Sequence, residues 1–297
     1  MMVKSTFQIK DLENLTGVKI PTLRIWEKRY NILKPARTNT GIRSYNIEEV
    51  LRLLNIAYLN RNGWKISKIA ALTEKEIQLA VKNIDQSNND YPIEVEEFLI
   101  AMLSLDQVKF SQIYSNLRNE YSFETIFENY FHPLLFRIGI LWQTETIDII
   151  HEHFISSLII QKLIFEIENI KTNTSKKSKT HILFLPLNEI HEIGLRYLQY
   201  QLLLNKKDVI YLGNNVDLIH LNRFKDRKDI VIIGSLTIVP NEKSLNDYLK
   251  SLNEFATHTN LPVHLYGLQF NINSVSYKKY SNINIYQNAK ELLKSIK

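Results

Sequence analysis

The 297-residue chain contains no cysteine. Disulfides and thiolate zinc sites are thereby excluded. It has no run of 18 apolar residues, so nothing in it reads as a membrane-spanning helix. Its start, Met1-Met2-Val3-Lys4-Ser5-Thr6, lacks the apolar core of a secretory signal. A cytoplasmic protein is the simplest expectation. No Ser/His/Asp or Cys/His arrangement suggests an independent enzyme. A sustained heptad pattern is also missing, so the chain is expected to oligomerise by means other than a long coiled coil.

What is present is ordinary in bulk and uneven in detail. A hydrophobic content of 44% and a charged content of 23% suit a soluble globular chain with room for two or three domains. The net charge of +6 hides an asymmetry. Residues 1–75 carry +8 and the remainder −2. A small basic module on a nearly neutral body is the electrostatic footprint of a nucleic-acid-binding domain.

Within the basic module, Ile9, Leu12 and Leu15 recur at helical spacing. Thr16-Gly17-Val18 then makes a tight turn. A second helical pattern runs from Pro21 through Tyr30 and carries Thr22, Arg24, Lys28 and Arg29. Helix, turn and basic helix form a helix-turn-helix, whose second helix enters the major groove. Arg37 and Arg43 flank Asn39-Thr40-Gly41, a hairpin turn signal that predicts a wing. Two further amphipathic helices follow, one through Val50 and Leu54, the other through Ile66 and Ile69.

The string Thr22-Leu23-Arg24-x-Trp26-Glu27-x-Arg29-Tyr30, followed by Pro35-x-Arg37-x-x-x-Gly41-x-Arg43-x-Tyr45, resembles the MerR-type winged helix-turn-helix. The resemblance implies a double-stranded DNA operator as partner. It places Thr22, Arg24 and Arg29 on the recognition helix, and Arg37, Arg43 and Tyr45 on or beside the wing. Guanidinium groups and a tyrosine hydroxyl are suitable phosphate partners. Arg29 could equally pair with Glu27 or Asp11, and Trp26 is read as core.

Residues 76–170 read as four helices joined by short connections, an antiparallel four-helix bundle. They run near Val95–Leu105, Asp106–Tyr121, Ser122–Trp142 and Asp148–Ile170. Trp142 is followed after nine residues by Glu152-His153. This spacing resembles the helical cap of the light-sensing adenosylcobalamin-dependent MerR-type repressors of carotenoid genes. The resemblance implies that Trp142 shields the adenosyl group and that Glu152 and His153 contact it. An indole can cover an apolar face, and the pair can hydrogen-bond a ribose or adenine edge. The competing reading puts Trp142 in the bundle core and makes Glu152/His153 a surface pair. The family's histidine after the Trp is Gln143 here, a far poorer cobalt ligand; His132 and His151 lie nearby in sequence.

Residues 171–180 are a polar, basic linker. From 181 to 297, apolar runs alternate with helical patterns, which predicts a doubly wound parallel sheet of five strands. After the first strand comes Glu189-x-His191-x-x-Gly194. A histidine on a strand-to-helix loop lies at the carboxyl edge of the sheet, where open α/β folds bind ligands. Imidazole can ligate a metal, and Glu189 could orient the ring. The run resembles the Asp-x-His-x-x-Gly signature of cobalamin-binding domains, with Glu for Asp. The resemblance makes His191 the lower axial ligand of cobalt and adenosylcobalamin the cofactor. It also draws in Gly213 after strand two, Ser235 and Thr237 after strand three, and Gly267 after strand four. Where the family has a small pair that leaves space for the benzimidazole tail, this chain has Tyr266-Gly267. Tyr266 could stack on the tail, point away, or block the groove.

The expected protein is a transcriptional regulator, a repressor, built from a winged head, a bundle cap and a cobalamin-binding-like α/β domain. Cobalamin would control its homo-oligomeric state, dimer or tetramer, and its operator binding. One alternative keeps the regulator without the ligand, the body serving as an oligomerisation or partner-binding module. Another is a corrinoid carrier, which has no use for a winged head.

Overall fold

The computed structural model describes residues 6–37, 41–84, 92–171, 179–238, 242–272 and 280–296. The tip of the expected wing and most of the expected linker lie outside them. The chain divides into two compact units, Met1–Leu158 and Ile159–Lys297.

In the first unit, β1 (Thr6–Phe7) precedes α1 (Ile9–Thr16) and α2 (Ile20–Tyr30). Gly17 closes the turn between the two helices in the left-handed conformation, with φ 73°. Its N–H donates to Glu13 O at 2.8 Å and caps the end of α1. Strands β2 (Ala36–Arg37) and β3 (Arg43–Asn46) form the wing. β3 is central, pairing antiparallel with both β1 and β2. β1 was not legible in the periodicity, because two residues show no alternation. Then come α3 (Ile47–Arg61), α4 (Ile66–Ile69) and α5 (Glu74–Lys82). The head core is Phe7, Leu12, Leu15, Leu23, Trp26 and Leu53, all buried.

The expected bundle follows as α6 (Ile93–Leu103), α7 (Gln107–Glu120), α8 (Phe123–Ile126) and α9 (His132–Gln143). A five-residue π turn, Phe127–Phe131, joins α8 to α9. The one long helix expected here is thus interrupted. The wider turn stacks Phe131 among Phe98, Phe110, Tyr114 and Phe123. Helix α10 (Ile149–Glu168) spans the boundary between the units.

Head and bundle meet through one buried carboxylate. Glu96, on α6, is 3% exposed. It accepts from Arg137 of α9 at 2.7 Å and from Arg61 of α3 at 3.3 Å. The same two arginines donate to the last carbonyls of α1: Arg61 to Thr16 O at 3.1 Å, Arg137 to Leu15 O. Asn14 adds a bond to Thr146 Oγ1 at 2.9 Å. Cations at a helix C-terminus complement its dipole and satisfy its orphan carbonyls.

The second unit is a parallel sheet of β4 (Thr180–Pro186), β5 (Asp208–Val216), β6 (Ile230–Ser235), β7 (Val263–Tyr266) and β8 (Ile283–Tyr286). Its order is β5-β4-β6-β7-β8. Helices α11 (Ile193–Leu204), α12 (Leu218–Leu221), α13 (Glu242–Thr259), α14 (Gln269–Ile272) and α15 (Ala289–Ser295) complete it. Alternate residues of the central strands enter opposite cores. Ile182, Phe184, Ile232 and Leu265 pack with Leu245, Leu249 and Leu252 of α13. Leu183, Leu185, Ile233 and Tyr266 pack with Leu195 and Leu198 of α11 and Leu292 of α15. Such side chains, buried on both faces, contribute about 1.5–3 kcal/mol each. The chain leaves β4 for β5 on one side and returns to β6 on the other. The switch point therefore lies at the carboxyl ends of β4 and β6, where such folds take ligands.

Candidate functional site

The β4–α11 loop carries Leu187 to Glu192 at that switch point. Asn188 turns the chain there with φ 66°. Its N–H donates to Asn215 Oδ1 at 2.8 Å, tying the loop to the end of β5. Glu189 is fully buried. Its Oε1 accepts from the N–H groups of Ile190 and His191, both at 3.0 Å, and from His191 Nδ1 at 2.5 Å. Its Oε2 accepts from the N–H groups of Thr237 and Ile238, at 3.0 and 2.8 Å. One carboxylate thus holds two loops and one ring. An Nδ1 that donates leaves the lone pair on Nε2, and the His191 side chain is 38% exposed.

Among the described residues no group of three or more His, Asp or Glu could hold a metal ion. A lone imidazole is a poor chelator of a free cation but a good axial ligand for a metal whose other positions a macrocycle fills. The loops at this edge also expose Leu187, Ile190, Ile238 and Leu268. That is apolar surface of the kind a flat macrocycle would cover. Beside the histidine, Glu192 accepts from Arg196 Nε at 2.6 Å and Tyr211 Oη at 2.8 Å. The Arg196 guanidinium lies 4.3 Å from the centre of the Tyr211 ring. Burial, and then Glu192, pushes the Tyr211 phenol up. Glu192 precedes the switch-point helix, Arg196 lies on it and Tyr211 lies on β5, yet no short motif announces the trio.

The other expected positions are distributed around the edge. Gly194 lies in the first turn of α11 with open space at its Cβ position. Gly213 has φ 87° near the end of β5. Ser235 is buried at the end of β6, and Thr237 contributes its backbone N–H to Glu189. Gly267 has φ 139°, and a Cβ there would stand 2.1 Å from Leu236 O. It is a glycine because two loops approach that closely. Tyr266, whose direction the sequence leaves open, points inward. It is buried in the core under α11, and burial pushes its phenol up.

In the first unit, Trp142 ends α9 and is 46% exposed, so its indole does not plug the bundle core. Glu152 and His153, on α10, pair at 2.6 Å, with Ser156 Oγ donating to Glu152 at 2.8 Å. His151 is fully buried, its Nδ1 accepting from Asp148 N–H at 3.2 Å. His132 is exposed.

In the head, Arg24, Arg29 and Arg37 are exposed and Thr22 is half-buried. Lys28 joins the exposed basic face of α2; its place in the helical period was the signal for it. Trp26 is core, as expected. Arg43 and Tyr45 are engaged internally. Arg43 Nε donates to Glu27 Oε1 at 3.0 Å, and the hydroxyl of the fully buried Tyr45 donates to Glu27 Oε2 at 3.3 Å. Burial, then Glu27, pushes the Tyr45 phenol up to about 12. In this structure the two residues hold the wing against the recognition helix, and their phosphate contacts remain an expectation. Arg29 lies over the Tyr30 ring at 5.5 Å.

Residues 7–76 match the family described as MerR HTH family regulatory protein, and residues 94–164 match the B12 binding domain. The HTH-type transcriptional repressor CarH of Myxococcus xanthus is 27% identical over 55% of this chain and 56% of its own length. The HTH-type transcriptional repressor CarA of the same organism is 25% identical over 53% and 51%. The chain spans about half the length of the curated relatives it matches. The monomethylamine corrinoid protein of Methanosarcina barkeri superposes with a TM-score of 0.53 at 16% identity, over 67% of this chain and 94% of that one. That likeness shows the fold. No helix among the described residues is long and apolar enough to cross a membrane. Homologous to the CarH and CarA repressors over about half its length, the chain matches a MerR-type head at residues 7–76 and a B12 binding domain at residues 94–164.

Proposed function

We propose that the chain is a cytoplasmic, homo-oligomeric transcriptional repressor that binds operator DNA through its head and senses a corrinoid through its body. His191 is the lower cobalt ligand in this reading, and Glu189 is the residue that positions it. The observation that carries it is the short Glu189–His191 contact at the switch point, on a histidine whose side chain is 38% exposed. Trp142 and the Glu152–His153 pair support an adenosyl group as the upper ligand, the one that adenosylcobalamin carries. Arg24, Arg29 and Lys28 form the exposed basic face that would read and grip the duplex. When bound, the corrinoid supplies a cobalt–carbon bond whose presence or loss is the signal. A ligand changes DNA binding only by preferring one oligomeric state over another.

The test is dark, anaerobic mixing of pure protein with an adenosyl corrinoid, read by visible spectrum and gel-filtration volume. The colour of nitrogen-ligated cobalt should develop, the elution volume should change, and both changes should vanish in His191→Ala. A protein that stays colourless and unchanged in size supports the second reading, a fixed oligomerisation or partner-binding module. Tyr266 at the core of the α11 face is the observation that favours that reading.

A further inference from the structure

In free cobalamin the lower cobalt position is held by the molecule's own benzimidazole, tethered to the corrin by a nucleotide loop. If His191 Nε2 takes that position, the base must leave cobalt. It must then find room within reach of its tether. At this sheet edge the loops after β5 and β6 flank the one that carries His191, and the loop after β7 lies next along and is joined to the loop after β6. Leu236 N–H donates to Tyr266 O at 3.0 Å, and Gln269 N–H to Leu236 O at 3.3 Å. Gln269 Nε2 reaches Ile238 O at 2.5 Å. Glu189 ties the β4 loop to the same segment through Thr237 and Ile238. The space behind these loops, between the sheet and α11, is filled by Tyr266 with Leu183, Leu195 and Leu198. Ser235, which the resemblance draws into the site, is buried there as the electrostatic neighbour of the Tyr266 phenol. The axial half of the site therefore fits a cobalt macrocycle, and the tail half does not fit a displaced nucleotide base.

We infer that Tyr266 occupies the volume the displaced base requires, and that this site selects corrinoids lacking the lower base, of the cobinamide class, over complete cobalamins. The inference rests on the reading of His191 as cobalt ligand. A benzimidazole ribonucleotide is larger than a phenol. It could enter only by driving Tyr266 out of a packed core, and interiors at crystal-like density accommodate such insertions poorly.

The experiment compares adenosylcobinamide with adenosylcobalamin on the full chain, in the dark, by spectral titration and calorimetry. Adenosylcobinamide should bind at least about tenfold more tightly, the factor that a modest overpacking penalty produces. Its colour should pass from that of cobalt without a lower nitrogen to that of ligated cobalt, and this change should be lost in His191→Ala. Tyr266→Gly should bring the two affinities together by strengthening cobalamin binding. Tyr266→Ala serves if the glycine variant does not fold. Equal affinities in the unaltered chain, both dependent on His191, overturn the inference and leave the corrinoid reading standing. Binding of neither compound overturns the corrinoid reading itself.

Discussion

Two glutamates, one in each unit, do similar work with opposite results. Glu27 in the head gathers Arg43 and Tyr45 from the wing. Glu189 in the α/β unit gathers five donors from two loops. Glu27 turns two polar groups inward and commits them to holding β3 to α2. Glu189 turns one imidazole nitrogen inward on a histidine whose side chain is 38% exposed. The same residue type therefore fastens in one place and prepares in the other. What differs is whether the captured group has a second functional atom. The phenol of the fully buried Tyr45 is committed, whereas an imidazole held at Nδ1 has a second ring nitrogen.

Four changes would break or sharpen this comparison. The largest effect belongs to Glu189→Ala. It strands five N–H donors at the switch point and should cost about 3 kcal/mol or more, as loss of a buried, multiply bonded carboxylate does. Denaturant unfolding would measure this, and corrinoid colour should be lost together with stability. Next come two arginines of the head. Arg24→Ala should weaken binding to an operator duplex by about 1–3 kcal/mol with the melting temperature unchanged. Arg43→Ala should instead lower the melting temperature, because it removes the bond to Glu27 that holds β3 to α2. If the two variants behave alike in both measurements, Glu27 is not a fastener.

The smallest effect concerns a histidine without a carboxylate. His264 on β7 stacks on Tyr286, with Nδ1 3.0 Å from its hydroxyl. Burial lowers its pKa from 6.5 to about 4, with His181 adding to the shift. The unfolded chain then binds the proton first. Stability should be full above pH 6.5 and fall as the pH drops toward 4. His264→Phe should flatten that slope in unfolding measured across the window.

Much of this was legible in the sequence because it depends on local period or local spacing. The helix-turn-helix, the five strands of the parallel sheet and the Glu189-x-His191 contact all involve neighbours along the chain. The missed features join distant residues. Tyr45 meets Glu27 only once the hairpin closes, and Arg61 and Arg137 meet Glu96 only once two helical layers pack. The direction of Tyr266 was equally hidden, since a tyrosine at a strand end can face a groove or a core. Only the alternation of β7 against its neighbours settles which. The π turn left no sign, because its aromatic residues suit an unbroken helix as well.

The shared carboxylate of Glu96 has a mechanical consequence. Two independent surface ion pairs could open separately, each with little loss. Here both arginines meet on one carboxylate and both donate to the end of α1, so the loss of either weakens the pairing of Glu96 and the capping of α1 together. Arg137 and Trp142 belong to the same helix, α9. One element thus carries both the exposed indole and a guanidinium that donates to the end of the helix before the Gly17 turn.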